Sequence, residues 1–198
     1  WSKGDWSGQA RTLSYQTLQY AASPITPSYN RVPQITANYN KYDWHGFDVS
    51  GTLDYTRFEV DSAYSPTLNG IKQPNGERMV GNLQISRPWI TPGGYVIPKL
   101  LLHTASYQLA SPLADGRTGI TSAVPTVSLD SGLVFERDAS LFGRAWRQTL
   151  EPRAFYVHTP YRDQSRLPVY DTAANDVSFA TLYTENAFSG NDRVSDTD

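Results

Sequence analysis

The sequence predicts an all-β fold: a partial antiparallel transmembrane β-barrel, forming an arc of roughly seven to eight strands of a larger cylinder. Three observations lead there. Apolar residues recur with period two, leaving one uncharged apolar face and one polar face. The connections between the resulting strands alternate between short and long. No run approaches the roughly 18 apolar residues of a membrane helix, so any crossing of a bilayer falls to strands.

The two cleanest strands set the pattern. FDVSGTLDYT places Phe47, Val49, Gly51, Leu53 and Tyr55 on one side, against Asp48, Ser50, Thr52, Asp54 and Thr56 on the other. TVSLDSGLVF does the same with Val127, Leu129, Leu133 and Phe135 against Thr126, Ser128, Asp130 and Gly132. Successive side chains of a strand point to opposite faces, so each segment is apolar on one side and wet on the other. QITANYN and MVGNLQIS repeat the pattern less cleanly.

Strands are expected near 10–20, 31–40, 46–60, 79–90, 94–110, 123–137 and 145–159. Most reach the roughly 9 to 11 residues of a tilted spanning strand, against about five or six in soluble sheets. The connections 41–45, 91–93 and 138–144 are short; 21–30, 61–78, 111–122 and 160–192 are long. Outer-membrane barrels keep that parity, with short periplasmic turns and longer extracellular loops, so 160–192 is expected outside the cell. Residues 178–186 are the best helical candidate, and a short one. Aromatic residues gather near strand ends: Tyr39, Tyr42 and Trp44, Trp89 and Tyr95, Trp146, and Tyr156 and Tyr161. A lipid–water girdle explains this; the plain preference of Tyr and Trp for strands is the competing account.

Composition closes other routes. The chain has 198 residues, thirteen Tyr, five Trp, one Met and a net charge of −2. That charge suggests neither a nucleic-acid surface nor an acidic tail. Without cysteine there is no disulfide or thiolate metal site. His45, His103 and His158 are widely separated, so they are read as interface or lumen residues. No cofactor is expected. The mean hydropathy of −0.48 is no objection, because alternation averages a barrel toward the polar. A start at Trp1 and an end at SDTD suggest a piece of a longer chain.

The stretch LEPRAFYVHTPYRDQS carries charge inside an apparent strand. Glu151 and Arg153 share a face with Arg147, Thr149, Phe155 and Val157. A buried unpaired ion costs several kcal/mol in a dry core, whereas a barrel lumen offers water and partners. Glu151 and Arg153, with Asp48, Asp54 and Asp130, are therefore expected to line an aqueous interior. The solvated face of a soluble sheet is the alternative. No histidine or second acid stands where a catalytic Glu would need it, so no catalytic residue and no enzyme are expected. Pro33, Pro98, Pro125 and Pro152 all fall in or at the start of strands. Either pairing has already lapsed around each of them, or they weaken the wall so that it deforms.

LEPRA (Leu150–Ala154) and PYRDQ (Pro160–Gln164) closely resemble segments of the family of the outer-membrane LPS-assembly protein LptD, also known as the organic solvent tolerance protein. RVPQI from Arg31 and GNDRV from Gly190 resemble two of its strand starts, so Arg193 is expected to begin an eighth strand. The resemblance implies a barrel of about two dozen strands, preceded by a periplasmic β-domain that this chain lacks. It implies lipopolysaccharide as cargo, outer-membrane lipids as surroundings, the lipoprotein LptE as a plug, and a periplasmic LPS bridge protein reaching the missing domain. The implied location is the outer membrane of a Gram-negative bacterium. It also implies that 160–192, with Tyr161, Arg162, Asp163 and Gln164, is a lid touching the plug; a solvated loop held by local ion pairs is the alternative. A general porin or sugar channel satisfies the same barrel physics, although nothing in the sequence marks a charged constriction loop. A soluble β-sandwich or adhesin-like module is the rival from another class.

Overall fold

A computed structural model describes residues 1–16, 27–60, 67–68, 71–113 and 115–197. Thirteen strands and no helix occur among them: β1 (Ser2–Lys3), β2 (Trp6–Leu13), β3 (Asn30–Trp44), β4 (Phe47–Glu59), β5 (Thr67–Leu68), β6 (Ile71–Lys72), β7 (Gly76–Ser86), β8 (Trp89–Thr91), β9 (Gly94–Leu109), β10 (Gly119–Leu133), β11 (Phe135–Leu141), β12 (Arg144–Leu150) and β13 (Arg153–His158). One antiparallel sheet runs in the order β1-β2-β3-β4-β7-β9-β10-β13, with β8 also pairing β9. β11 pairs β12, and β5 pairs β6. The sheet is open: β1 and β13 lie at opposite ends of its order.

The main strands are long, with 15 residues in β3, 16 in β9 and 15 in β10. Four two-residue turns, at Gly4–Asp5, His45–Gly46, Pro92–Gly93 and Phe142–Gly143, lie on the short-turn side. His45 and Gly46 have φ of 54° and 84°, and Phe142 and Gly143 have 53° and 71°. Positive φ at both central residues is the twist-compatible hairpin geometry, so these strands pair closer to their turns than periodicity alone suggests. The connections 14–29, 60–75 and 110–118 and the segment after β13 leave from the opposite end. Of the expected long connections, 21–26 in the first, 61–66 and 69–70 in the second and residue 114 in the third lie outside the described residues.

Four strand expectations need correction. The first strand is Trp6–Leu13 rather than 10–20; positions 17–20 lie outside the described residues. The expected strand 79–90 starts earlier, at Gly76, and breaks at Arg87 and Pro88, where Pro88 has no N–H to donate. The strands expected at 123–137 and 145–159 break at Val134 and at Glu151–Pro152. The register nevertheless carries through, with Gly132 opposite Arg153 on one side of the break and Phe135 opposite Leu150 on the other. No strand follows β13 among the described residues; Arg193 belongs to a continuing loop that is tied back by Thr197 N–H to Thr159 O at 3.0 Å. Within the helical candidate 178–186, residues 179–183 form a turn.

Register assigns the faces. Asp54 pairs with Thr36 and Val80, Asn82 with Thr52 and His103, and Val124 with His103, so these side chains share one face. Leu53 pairs with Ala37 and Gly81, and Leu83 with Gly51 and Leu102, on the other. The apolar face is the exposed one: Ile35, Leu53, Met79, Leu83, Leu100, Val127 and Leu129 are all open. The polar face is the covered one, with Gln34, Asp54, Thr56, Arg78, Thr126 and Ser128 buried. This inverts the usual arrangement of a soluble sheet.

Each proline sits where pairing is interrupted. The Val32–Pro33 bond is cis, within a register shift between Arg31 and Gln34. Pro98 lies opposite the β7–β8 break, and its carbonyl accepts from Arg87 N–H at 3.1 Å, so its nitrogen faces that break. Leu102, four residues on, points its backbone the same way, so its partner Pro125 turns its nitrogen away from β9. Pro125 thus faces the side of β13, beyond the last pair, Val127 with His158. Pro152 occupies the break between β12 and β13.

Candidate functional site

Strand alternation places a polar row across four neighbouring strands. Arg11 Nε donates to Gln34 at 2.9 Å, and Gln34 Nε2 donates to Asp54 at 2.7 Å. Thr36 and Thr56 hydroxyls donate to the same carboxylate at 2.8 and 2.6 Å. These three donors satisfy a carboxylate of which only 4 % is exposed. Next in the row stands Arg78, fully buried, 3.8 Å from Asp54.

The segment after β13 folds back onto this row. Asp171 receives both ends of the Arg78 guanidinium, at 2.7 and 2.8 Å, and Asp192 receives Nη1 at 2.8 Å. Such a fork is the strong geometry for Arg and carboxylate. Asp192 also accepts from Tyr107 Oη at 3.0 Å and from the backbone N–H groups of Tyr170 and Asp171 at 2.7 and 3.0 Å. Arg31 adds a longer contact, 3.8 Å from Asp171. Arg78 Nε is buried without a hydrogen-bond partner, and the guanidinium lies 4.8 Å from the centre of the Phe58 ring. Tyr170 stacks on Phe58 with centroids 4.3 Å apart and meets Tyr29 edge-on at 5.0 Å. A small apolar core of Val60, Val80, Ala105, Leu109 and Leu167 seals the cluster from water.

The rest of the segment follows the same face. Glu185 accepts from Lys99 Nζ at 2.7 Å and from Ser128 at 3.0 Å. Thr159 and Thr126 hydroxyls are 2.8 Å apart, and Tyr183 meets Phe155 edge-on at 6.2 Å. Between segment and sheet lies a cleft of about 280 Å3, lined by Thr52, Asn82, His103, Glu185 and Asn191 together with Leu101 and Val124. Burial pushes the Asp171 carboxyl up, but the hydrogen bonds and charge of Arg78 outweigh it and leave it below the usual carboxylate range. Glu185 behaves alike: burial opposes the charge, and Lys99 prevails. Burial alone raises the Tyr29 phenol to about 12.

The expected lumen residues do not form one group. Asp54 belongs to the buried row. Asp130 and Arg153 form a forked pair at 2.9 and 2.6 Å, with Arg153 also 4.4 Å from the Tyr183 ring. Asp48 lies near a short turn and accepts from Asp43 N–H at 2.9 Å. Glu151 is exposed in the break between β12 and β13, apart from the others. Of the four loop residues, Gln164 is a brace: it exchanges hydrogen bonds with the backbone of Val194 at 2.6 and 2.9 Å. Asp163 caps Ser165 N–H at 3.0 Å, while Tyr161 and Arg162 are exposed. The sequence reading missed Arg78, which it assigned to a connection, along with its aromatic surround of Phe58, Tyr107 and Tyr170. Alternation counted from Gly76 through Arg78, Val80 and Asn82 was the available signal. The segment 160–192, expected as a lid or a solvated loop, packs on the polar face through Asp171 and Glu185.

The description LPS transport system D matches residues 1–198, the whole chain. The chain belongs to that family. It is 54 % identical over 198 residues to the LPS-assembly protein LptD of Albidiferax ferrireducens, covering all of this chain and 24 % of that protein. It is 53 % identical over 202 residues to the protein of that name from Polaromonas sp., covering 99 % of this chain and 24 % of the relative. The protein of that name from Ralstonia nicotianae is 47 % identical over 201 residues. The chain therefore spans about a quarter of the length of these LptD relatives. The structure gives the GNDRV stretch a place other than a strand start: Asp192 within it closes on Arg78.

Proposed function

We propose that this chain is wall and lid of an outer-membrane β-barrel that assembles lipopolysaccharide into the outer leaflet of a Gram-negative bacterium. The short turns face the periplasm and 160–192 lies on the extracellular side. Transport of this kind involves no covalent chemistry. It needs a wet interior for the sugars and apolar surroundings for the acyl chains. The polar face supplies the first through Asn82, His103 and Asp130, and the exposed apolar face abuts lipid. The LptE lipoprotein plug, the periplasmic bridge protein and outer-membrane lipids are the partners this reading carries.

The observation behind the proposal is the inversion of the faces: an open apolar side with Leu53, Leu83 and Leu129, and a buried polar side under the chain's own segment. A sandwich would close Leu53 and Leu129 against a second sheet. A passive porin shares the wall, but the names of the relatives favour assembly of LPS. Photoreactive residues placed in the full-length protein in membranes provide the test. Probes at Leu53, Leu83 and Leu129 should capture phospholipid. Probes at Thr52, Asn82 and Ser128 should capture LPS or protein. Capture of phospholipid by the polar set, or membrane-free solubility of the intact protein, would overturn the reading.

A further inference from the structure

The β11–β12 hairpin projects past the other short turns. Its seven paired positions span roughly 24 Å. They begin where β10 ends, at Leu133 opposite Gly94 and next to the Pro92–Gly93 turn. An isolated two-stranded ribbon is marginally stable in water, so a ribbon of this length calls for a surface to lie on. Its register continues that of β10 and β13 without a shift. Phe135, Arg137, Leu150, Gln148, Trp146 and Arg144 therefore continue the exposed apolar face of the wall. Glu136, Asp138 and Arg147 fall on the opposite side, where Arg147 lies 3.6 Å from Glu136 and 3.8 Å from Asp138. The acids of the hairpin are confined to one face. The other carries two arginines with aromatic and aliphatic side chains, and Phe142 at the tip is 94 % exposed.

We propose that this hairpin is a membrane-surface foot, whose Arg137/Trp146 face rests on the phospholipid headgroups of the leaflet at the short-turn side. The proposal rests on the barrel reading above, because the continuous register makes this face the extension of the lipid-facing one. Amphipathic rings settle at the headgroup level, and arginines beside anionic headgroups are drawn to them. The acidic opposite face is the one such a surface repels. The break at Glu151–Pro152, where the ladder lapses, lets the ribbon lean away from the wall axis.

The full-length protein, reconstituted in phosphatidylethanolamine–phosphatidylglycerol vesicles, carries a photoreactive residue at Trp146, at Arg147 or at Leu83. Lipid adducts are expected at Trp146 and Leu83 and not at Arg147. Replacing phosphatidylglycerol by phosphatidylcholine, or substituting Arg137→Gln with Arg144→Gln, should lower the Trp146 adduct by roughly tenfold and leave Leu83 unchanged. Lipid at Leu83 with only protein adducts at Trp146 would overturn the foot and leave the barrel reading standing. Equal lipid capture at Trp146 and Arg147 would also overturn it, since a disordered ribbon has no preferred face. Loss of lipid capture at Leu83 would instead remove the barrel reading.

Discussion

Arg78 and Asp192 lie 2.8 Å apart, both side chains fully buried, although they stand 114 positions apart in the sequence. One belongs to the wall and the other to the segment that covers it. A buried cation is costly unless opposed and hydrogen-bonded. Here the covering segment brings two carboxylates to Arg78, and it places the aromatic ring of Tyr170 over Phe58. Docking of the segment and burial of the charge are therefore one event.

Arg78→Met should release the segment. It leaves Asp171 and Asp192 buried without their cation, an imbalance of about 3–5 kcal/mol. Limited proteolysis of the folded full-length protein should then cut within 160–192, where the parent resists. Arg78→Lys, a point charge without the fork, should fall between the two.

Acid should loosen the same latch. Asp171 and Glu185 have carboxyls held below their ordinary range in the docked state. The segment's stability is thus fully present above the ordinary carboxylate range near pH 4 and is lost as pH falls through the depressed values. Pepsin cleavage in 160–192 should rise sharply below about pH 4. Asp171→Asn should raise cleavage at the upper end of the range and flatten the profile.

The two faces should respond oppositely to the same charge. Leu83→Arg puts a cation on the exposed apolar side and should cost about 2–4 kcal/mol of folding in a bilayer. Gln84→Arg, one residue on, faces the polar side and should be tolerated within about 1 kcal/mol. The folded fraction in heat-modifiable gel mobility distinguishes them. Equal losses would refute the assignment of faces.

Gly76 is a packing glycine. A Cβ there would come within 2.6 Å of Tyr170 Oη and 2.7 Å of the Gln108 carbonyl. The Tyr170 ring and the β7–β9 backbone must both shift, so Gly76→Ala should displace Tyr170 from Phe58 at a cost of about 1–3 kcal/mol. The change should expose the segment to protease without preventing insertion of the wall.

The wall is legible from the order of residues alone. Strand side chains alternate by pleat geometry, so FDVSGTLDYT and TVSLDSGLVF declare their two faces without any partner. The two-residue turns are likewise written locally, as in His45–Gly46. What the polar side does emerges once distant segments are packed together. Arg153 pairs with Asp130 across a strand boundary rather than with Glu151 two residues away, because register makes Gly132 its partner and brings Asp130 within reach. Where a long strand breaks depends on neighbours too: Pro88 and Pro152 end ladders, while Pro98 and Pro125 sit inside strands because their nitrogens face gaps. The meeting of Arg78 with Asp171 and Asp192 leaves no local trace, since it depends on the path of a folded-back segment. Periodicity reports which side a residue faces; which opposite charge waits there is set by distant chain.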